Sequence, residues 1–499
     1  MNDTATIEAV TTTSGRVTGM ALGNHLAFLG IPYAKAKRFA QPQPADKWSG
    51  VKQATQIGFA APQTFSIIPG FAASGPQNED CLNLNVFTPA ADNMKRPVMV
   101  WIHGGGFTHG AGYEPLYRGG PLSERGDVVV VSINYRLGVL GFLHLPEIGA
   151  AGNMGLLDII TALRWVRDNI AAFGGDPDRV TIFGESAGSA AVACMLAMPA
   201  ARGLFRRAIM QSGAGRAAAP QVAAKLTDMF LQNIDLDRSR ANELHTIEAA
   251  KILGAQDATS KQSQAMLGVN FGPTRDPDML PDDPITAVGK GVAKDIAIII
   301  GTNRDEVKLF VGDRDQIDDD ALAKALGAIV PKATPGQIGA LIEVYRASRA
   351  TKNLPHDNLN ILDAVASDIR FRMPTLRLAL GQRNNGGKVW LYLFTHESPA
   401  RKGALGSCHA LEMPFVFGTL DAPTQNRFAG SGPDVERLSH EMMDAWLAFA
   451  HGKEPAAPGI GPWPPYDAAG RPTMLFGTMA SGLAHDPFGE ERAALETLL

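Results

Sequence analysis

The chain has little of what marks several protein classes. Its 499 residues include three cysteines, Cys81, Cys194 and Cys408, enough for at most one disulfide, which excludes a cysteine-stapled secreted scaffold. It has no long hydrophobic run. The most apolar stretches, 128–131 and 296–300, are strand-length, whereas a bilayer span takes about 20 residues, so no membrane association is expected. The opening MNDTATIEAVTTTSG lacks a basic start followed by an apolar stretch, so no signal peptide and a cytoplasmic location are expected. Neither sign of charge dominates: 46 Lys+Arg against 50 Asp+Glu leave a formal charge of −4, which speaks against a nucleic-acid or anionic-membrane partner. Internal repeats at solenoid periods and low-complexity linkers are also missing.

What is present is apolar mass. Hydrophobic residues make up 45% of the chain and charged ones 19%, which can offset the ordering entropy of a large core and excludes disorder. Length alone gives a prior of about three domains. Motif spacing argues instead for one α/β domain over residues 1–499, with wall or cap insertions at about 214–289 and 312–387. Short β-branched runs at 97–102, 127–134, 179–183, 207–211, 295–300 and 389–394 are almost continuously apolar. Strands covered on both faces read that way, so a mostly parallel sheet between helices is predicted. Helical periodicity runs over 156–171, 186–198 and 441–450, and the Pro-rich stretch 455–465 reads as an ordered loop fixed by Trp463.

The sharpest local signal is VTIFGESAGS at 180–189, a β-rich run that ends in G-x-S-x-G and opens directly into a small-residue helix. A serine on such a turn has strained backbone angles, and glycines two positions to either side, Gly184 and Gly188, make room for it. The turn lifts the Ser186 hydroxyl to the helix N-terminus, where developing negative charge is favoured. The second signal is WIHGGGF at 101–107. Three consecutive glycines at a strand end suit backbone N–H groups that must approach another atom closely, and beside a nucleophilic serine they can form an oxyanion hole. Gly105 and Gly106, joined by Ala187, are the expected donors. No Lys-Ser/Thr follows and no G-x-G-x-x-G is completed, so phosphate- and dinucleotide-binding loops are set aside.

A serine needs a base, and the base an orienting acid, in the chain order Ser, acid, His with each partner after a later strand. The run 295–300 is followed by Asp305 and Glu306; the run 389–394 by His396 and, further on, His409. Spacing alone chooses neither between the acids nor between the histidines. The HExxD run at 440–444 lacks the second histidine of a zinc-protease helix, so no metal is expected.

Many further segments carry a resemblance: FLGIPYA at 28–34, EDCLNLNVF at 79–87, HGGGF at 103–107, NYRLG at 134–138, FGGDP at 173–177, GESAGS at 184–189, QSG at 211–213, the Asp305-Glu306 pair and CHALEMPFVF at 408–417. In this order they resemble the type-B carboxylesterase family, the cholinesterase-like and para-nitrobenzyl-esterase-like branch of the α/β-hydrolases, over nearly the whole chain. The resemblance implies Glu306 as acid, His409 as base, a structural His103, Glu185 shaping the pocket floor and a supporting Ser212. It also implies ion pairs of Arg38 with Glu79 and Arg136 with Asp176. No cysteine precedes Cys81, so the disulfide usual in secreted members is absent, and Val307 stands where the family has glycine after Asp-Glu.

The expected activity is hydrolysis of an uncharged, small to medium or aryl carboxylic ester through a covalent acyl-enzyme, with no cofactor. Cleavage of carbamate, amide or thioester bonds on the same triad is the alternative. A non-catalytic binding protein on the same fold is the other, argued against by the presence of Ser186, Glu306 and His409. Phe65, Phe71, Phe107, Phe271, Phe310 and Phe415 are the aromatic residues expected to line the cleft.

Overall fold

A computed structural model describes residues 7–66, 72–267 and 270–499. Its main sheet has eleven strands: β1 (Met20–Leu22), β2 (His25–Pro32), β3 (Asn83–Thr88), β4 (Arg96–Ile102), β5 (Val129–Ile133), β6 (Gly175–Glu185), β7 (Arg207–Gln211), β8 (Ala297–Asn303), β9 (Val389–Phe394), β10 (Pro472–Phe476) and β11 (Gly482–His485). Their spatial order is β11-β10-β9-β8-β7-β6-β4-β5-β3-β2-β1. The pairs from β5 through β10 are all parallel, and antiparallel strands close both edges.

The near-continuous apolar runs follow from cover on both faces. Along β4, Val98, Val100 and Ile102 join one core cluster, while Met99 and Trp101 join the cluster on the opposite face. β8 repeats the pattern, with Ile298 and Ile300 on the first side and Ile299 on the second. Helices α1 (Met154–Asn169) and α2 (Ala187–Ala197) cover the first face, and α9 (Pro433–Ala450) covers the second.

Both expected insertions are helical. The first holds α3 (Pro220–Asn233), α4 (Ala249–Leu267) and a short helix, Pro284–Gly289. The second holds α5 (Asp319–Ile329), α6 (Pro335–Thr351), α7 (Asn358–Ser367) and α8 (Met373–Asn384). Their starts are written in the sequence as caps: Asp318 accepts from Ala321 N–H, Thr334 and Gln337 form a reciprocal capping box, and Asp357 accepts from Asn360 N–H. Leu226 and Phe230 of the first insertion and Leu326 and Tyr345 of the second belong to the same core cluster as the sheet residues.

Four differences from the sequence reading have physical causes. The helix expected over 441–450 begins at Pro433, two turns earlier, with Pro at its first position and Asp434 and Glu436 in its first turn, all favourable start signals. β3 was hidden by its polar residues. Buried Asn83 donates to Phe59 O at 2.8 Å, and buried Asn85 bridges Ser132 Oγ and Gly30 N–H, each at 3.0 Å. The edge strand β11 and its neighbour β10 are short, with weak patterns of their own. Finally, Arg136 does not pair with Asp176. Its guanidinium is gripped by Asp158 of α1, at 2.8 Å from Nε and 2.7 Å from Nη2, while Asp176 caps its own loop through Asp178 N–H.

Arg38 does meet Glu79 with both Nε and Nη2. Trp463 is buried and exchanges hydrogen bonds with β9, donating to Leu391 O and accepting from Trp390 Nε1, each at 3.1 Å. Cys81, Cys194 and Cys408 are free and buried. Among the described residues, no helix is long and apolar enough to cross a membrane.

Candidate active site

The chemistry-bearing segments gather at the C-terminal ends of four parallel strands, where open α/β sheets present their ligands. β6 ends at Glu185, and Ser186 follows with φ 55° and ψ −122°, a strained conformation that costs about 1–3 kcal/mol. The glycines on either side are steric necessities. A Cβ on Gly188 would stand 2.0 Å from Ile102 O, and one on Gly184 would stand 2.5 Å from the Gly188 carbonyl carbon. The strain is held by Ser186 N–H bonding to Gln211 O of β7 at 2.9 Å and Ala190 N–H bonding to Ser186 O at 2.9 Å. Ser186 caps α2 and stays partly exposed, at the end of a helix dipole worth about 0.3–1 kcal/mol to an anion.

The loop after β4 lies against this turn. A Cβ on Gly104 would come within 2.9 Å of Glu185 Oε2 and 3.2 Å of Ser186 Cβ, so only glycine lets the two segments meet. Gly105 and Gly106 adopt φ of 101° and 65°, and Gly105 O accepts from Thr108 N–H and His109 N–H. Among the described residues, the N–H groups of Gly105, Gly106 and Ala187 donate to no other part of the chain. His103 turns away, with Nδ1 2.9 Å from Gly104 O and its ring stacked on Tyr135 at 4.6 Å. Burial pushes its pKa down to about 4, in keeping with a structural role.

β8 and the loop after β9 bring an acid to an imidazole. His409 Nδ1 lies 2.6 Å from Glu306 Oε2, and Glu306 Oε1 accepts from Asn303 N–H at 2.8 Å; both side chains are fully buried. The other imidazole nitrogen, Nε2, lies 3.0 Å from Glu185 Oε1, next to Ser186 in the chain. Burial disfavours the imidazolium, but the Glu185 and Glu306 carboxylates outweigh it, and the His409 pKa is raised above the ordinary value near 6.5. Two phenyl rings, Phe310 and Phe371, each rest against the imidazole at 5.0 Å between centroids.

The alternatives left open by spacing have other partners. Asp305 faces Arg304, at 2.9 Å from Nε and 2.7 Å from Nη2, with Lys308 and Arg349 nearby. Burial would raise its pKa, but these cations hold it at about 2. His396 sits between Ala429 O at 2.8 Å and Thr478 Oγ1 at 3.1 Å. Behind the pair lies a buried carboxyl that sequence reasoning passed over. Glu412 accepts from Asn303 Nδ2 at 2.7 Å and Gln211 Nε2 at 3.1 Å; burial and the nearby Glu185 and Glu306 push its pKa up to about 8. The signal for it was positional, three residues after His409. Ser212 has φ 54°, and its hydroxyl is buried without a hydrogen bond among the described residues.

The aromatic expectations divide. Phe310 reaches the imidazole. Phe107 packs against Phe142 at 5.1 Å beside the glycine loop, and Phe271 is buried against Phe230. Phe415 belongs to the core and not to a cleft: it is fully buried against Phe394 at 5.4 Å, because the short helix Met413–Phe417 turns it into the second-face cluster. Phe65 is 86% exposed, and Phe71 lies outside the described residues. Phe371 was not anticipated. Among the described residues, no three His, Cys, Asp or Glu side chains converge to hold a metal ion.

The parallel sheet, the strained serine turn at its middle and the helices on both faces define an α/β-hydrolase. The model of the carboxylesterase family matches residues 6–492, and the chain belongs to that family and is a carboxylic-ester hydrolase. It is 38% identical to the para-nitrobenzyl esterase of Bacillus subtilis, over 98% of this chain and 99% of that one. It is 34% identical to the phenmedipham hydrolase of Pseudarthrobacter oxydans, over 98% of both chains. A solved thermophilic PNB esterase superposes with a TM-score of 0.87 at 37% identity, covering 98% of this chain and 99% of that one.

Proposed function

We propose that Ser186, Glu306 and His409 form the catalytic triad of a serine ester hydrolase that works through an acyl-enzyme. His409 Nε2 removes the Ser186 Oγ proton as Oγ attacks the ester carbonyl. Glu306 holds the Nδ1 proton, fixing the tautomer and stabilising the imidazolium. Gly105, Gly106 and Ala187 N–H groups receive the oxyanion, each donor contributing about 3–4 kcal/mol in the transition state. The intermediate collapses with His409 giving its proton to the leaving alkoxide. Water then attacks the acyl-serine, again losing its proton to His409, which returns it to Ser186 Oγ as the bond from Oγ to the acyl carbon breaks and the carboxylic acid leaves. The observation that carries this reading is the 2.6 Å Glu306–His409 contact, with Nε2 beside the residue that precedes Ser186.

Phe107, Phe310 and Glu185 are the proposed pocket residues, giving an apolar cleft suited to uncharged, small to medium or aryl esters. Similarity to the para-nitrobenzyl esterase supports an alcohol part that carries an aromatic ring. A second reading, carbamate cleavage on the same triad, is favoured by the similarity to phenmedipham hydrolase. Rates of kcat/KM across a panel varying acyl and alcohol parts, with a carbamate analogue in parallel, separate the two readings. The three buried free thiols support a reducing, cytoplasmic setting.

The base must be neutral to act, so kcat/KM falls as pH drops through the His409 pKa. Because the flanking carboxylates raise that pKa, the acid limb lies above the ordinary histidine range. Glu185→Gln removes one of those charges and is expected to move the limb to lower pH. A profile flat from about pH 5 to 8 contradicts His409 as the base.

A further inference from the structure

One segment outside the triad touches both the residue after its acid and the ring of its base. Helices α7 and α8 join through a wide turn, Asp368–Arg372, in which Met373 N–H bonds to Asp368 O, five residues back instead of four. Pro374 explains it locally: proline has no N–H to donate and its ring crowds the carbonyl four residues earlier, so the regular ladder cannot continue there. The turn is locked from outside. Arg372 Nε and Nη2 reach the two Asp368 oxygens at 2.6 Å each, Tyr345 OH donates to Asp368 Oδ2 at 2.6 Å, and Arg372 Nη1 donates to Pro487 O at 3.1 Å.

Single wide turns inside helices are rare and gather at functional sites, since the extra residue rotates the following side chains by ~100°. This turn has two consequences. Ser367, the residue before it, accepts the Val307 N–H at 3.1 Å, immediately after Glu306. Val307 is the residue that departs from the family's glycine, and it is buried. Phe371, within the turn and half-buried, lies against the His409 ring at 5.0 Å and 46°.

We propose that this wide turn is a brace for the reacting pair, with Ser367 fixing the acid's loop and Phe371 acting as a positioning residue for His409. The inference rests on His409 being the base. The imidazole must keep Nδ1–H on Glu306 while Nε2 faces Ser186, and a ring edge left open to water loses both the exclusion of solvent and the bar to rotation. Misplacement of a catalytic group by about 1 Å is worth up to ~100-fold in rate.

The test uses the full-length enzyme and two readouts: steady-state hydrolysis of an aryl ester, and the downfield proton resonance of an imidazole Nδ1–H bonded to a carboxylate. Wild type is expected to show a sharp downfield resonance that His409→Gln removes. Phe371→Ala is expected to broaden or lose it and to lower kcat about 10- to 100-fold, with KM changed far less. Phe371→Val also removes the ring while keeping a branched side chain, and carries the same expectation should the alanine variant fail to fold. A wild-type resonance that survives His409→Gln would contradict the base assignment itself. A resonance lost in His409→Gln but kept sharp in Phe371→Ala or Phe371→Val, with kcat unchanged, overturns the brace alone.

Discussion

Replacing Ser186 with alanine is expected to lower kcat by about a millionfold while leaving melting temperature and substrate binding close to wild type. The size follows from triad members acting as one unit: without Oγ, neither the imidazole nor the acid has a proton to manage. What remains is the contribution of the Gly105, Gly106 and Ala187 donors and of binding. The fold is expected to survive because, among the described residues, the Ser186 hydroxyl makes no hydrogen bond that holds the turn. The turn is held by its backbone bonds to Gln211 O and Ala190 N–H and by Gly184 and Gly188, all unaffected by the substitution. A Ser186→Ala enzyme that hydrolyses an aryl ester at the wild-type rate contradicts the assignment.

The largest loss of stability is expected at a residue with no part in the chemistry. Asp158 is fully buried and accepts from Arg136 at Nε, Nη2 and the backbone N–H. Asp158→Ala leaves the Arg136 guanidinium buried with its charge uncompensated, which costs about 3–5 kcal/mol. Denaturant unfolding reads that loss directly. Asp176→Ala removes one loop hydrogen bond and is expected to cost about 1 kcal/mol. Equal losses for the two variants would restore the Arg136–Asp176 pairing suggested by the family resemblance. Any activity lost in Asp158→Ala should track the unfolded fraction, with kcat per folded molecule unchanged.

Particular residues show what was legible in the sequence. The central strands β4 to β9 were readable because cover on both faces forces continuous β-branched runs. β3 was obscured, since an asparagine that spends its amide on buried backbone looks like a loop residue in a string of letters. The serine turn and the glycine loop could be located because their glycines stand at telling spacings, although part of the steric demand comes from far along the chain: Gly188 answers to Ile102 and Gly104 to Glu185 and Ser186. The choice of Glu306 over Asp305 was different. The two acids are adjacent, and what separates them is which cations claim Asp305: Arg304 and Lys308 lie beside it in the chain, but that their side chains, with the distant Arg349, turn to Asp305 and leave Glu306 to the imidazole is set by the fold and not by spacing. Phe371 lay further out of reach, because its direction depends on an extra residue in a helical turn about 60 residues past the acid. Phe415, expected in the cleft, lies in the core because an aromatic residue in the string of letters does not say which sheet face a short helix turns it toward.

The central claim is that the acyl group passes through Ser186. Rapid mixing with an aryl ester, an acid quench before turnover completes, and mass spectrometry of the digested protein test it most directly. The expected result is one acyl mass per chain on the peptide that contains Ser186, formed with a burst of phenolate and absent from Ser186→Ala. Full turnover with no acyl mass on that peptide, or with the mass on another residue, would contradict the account.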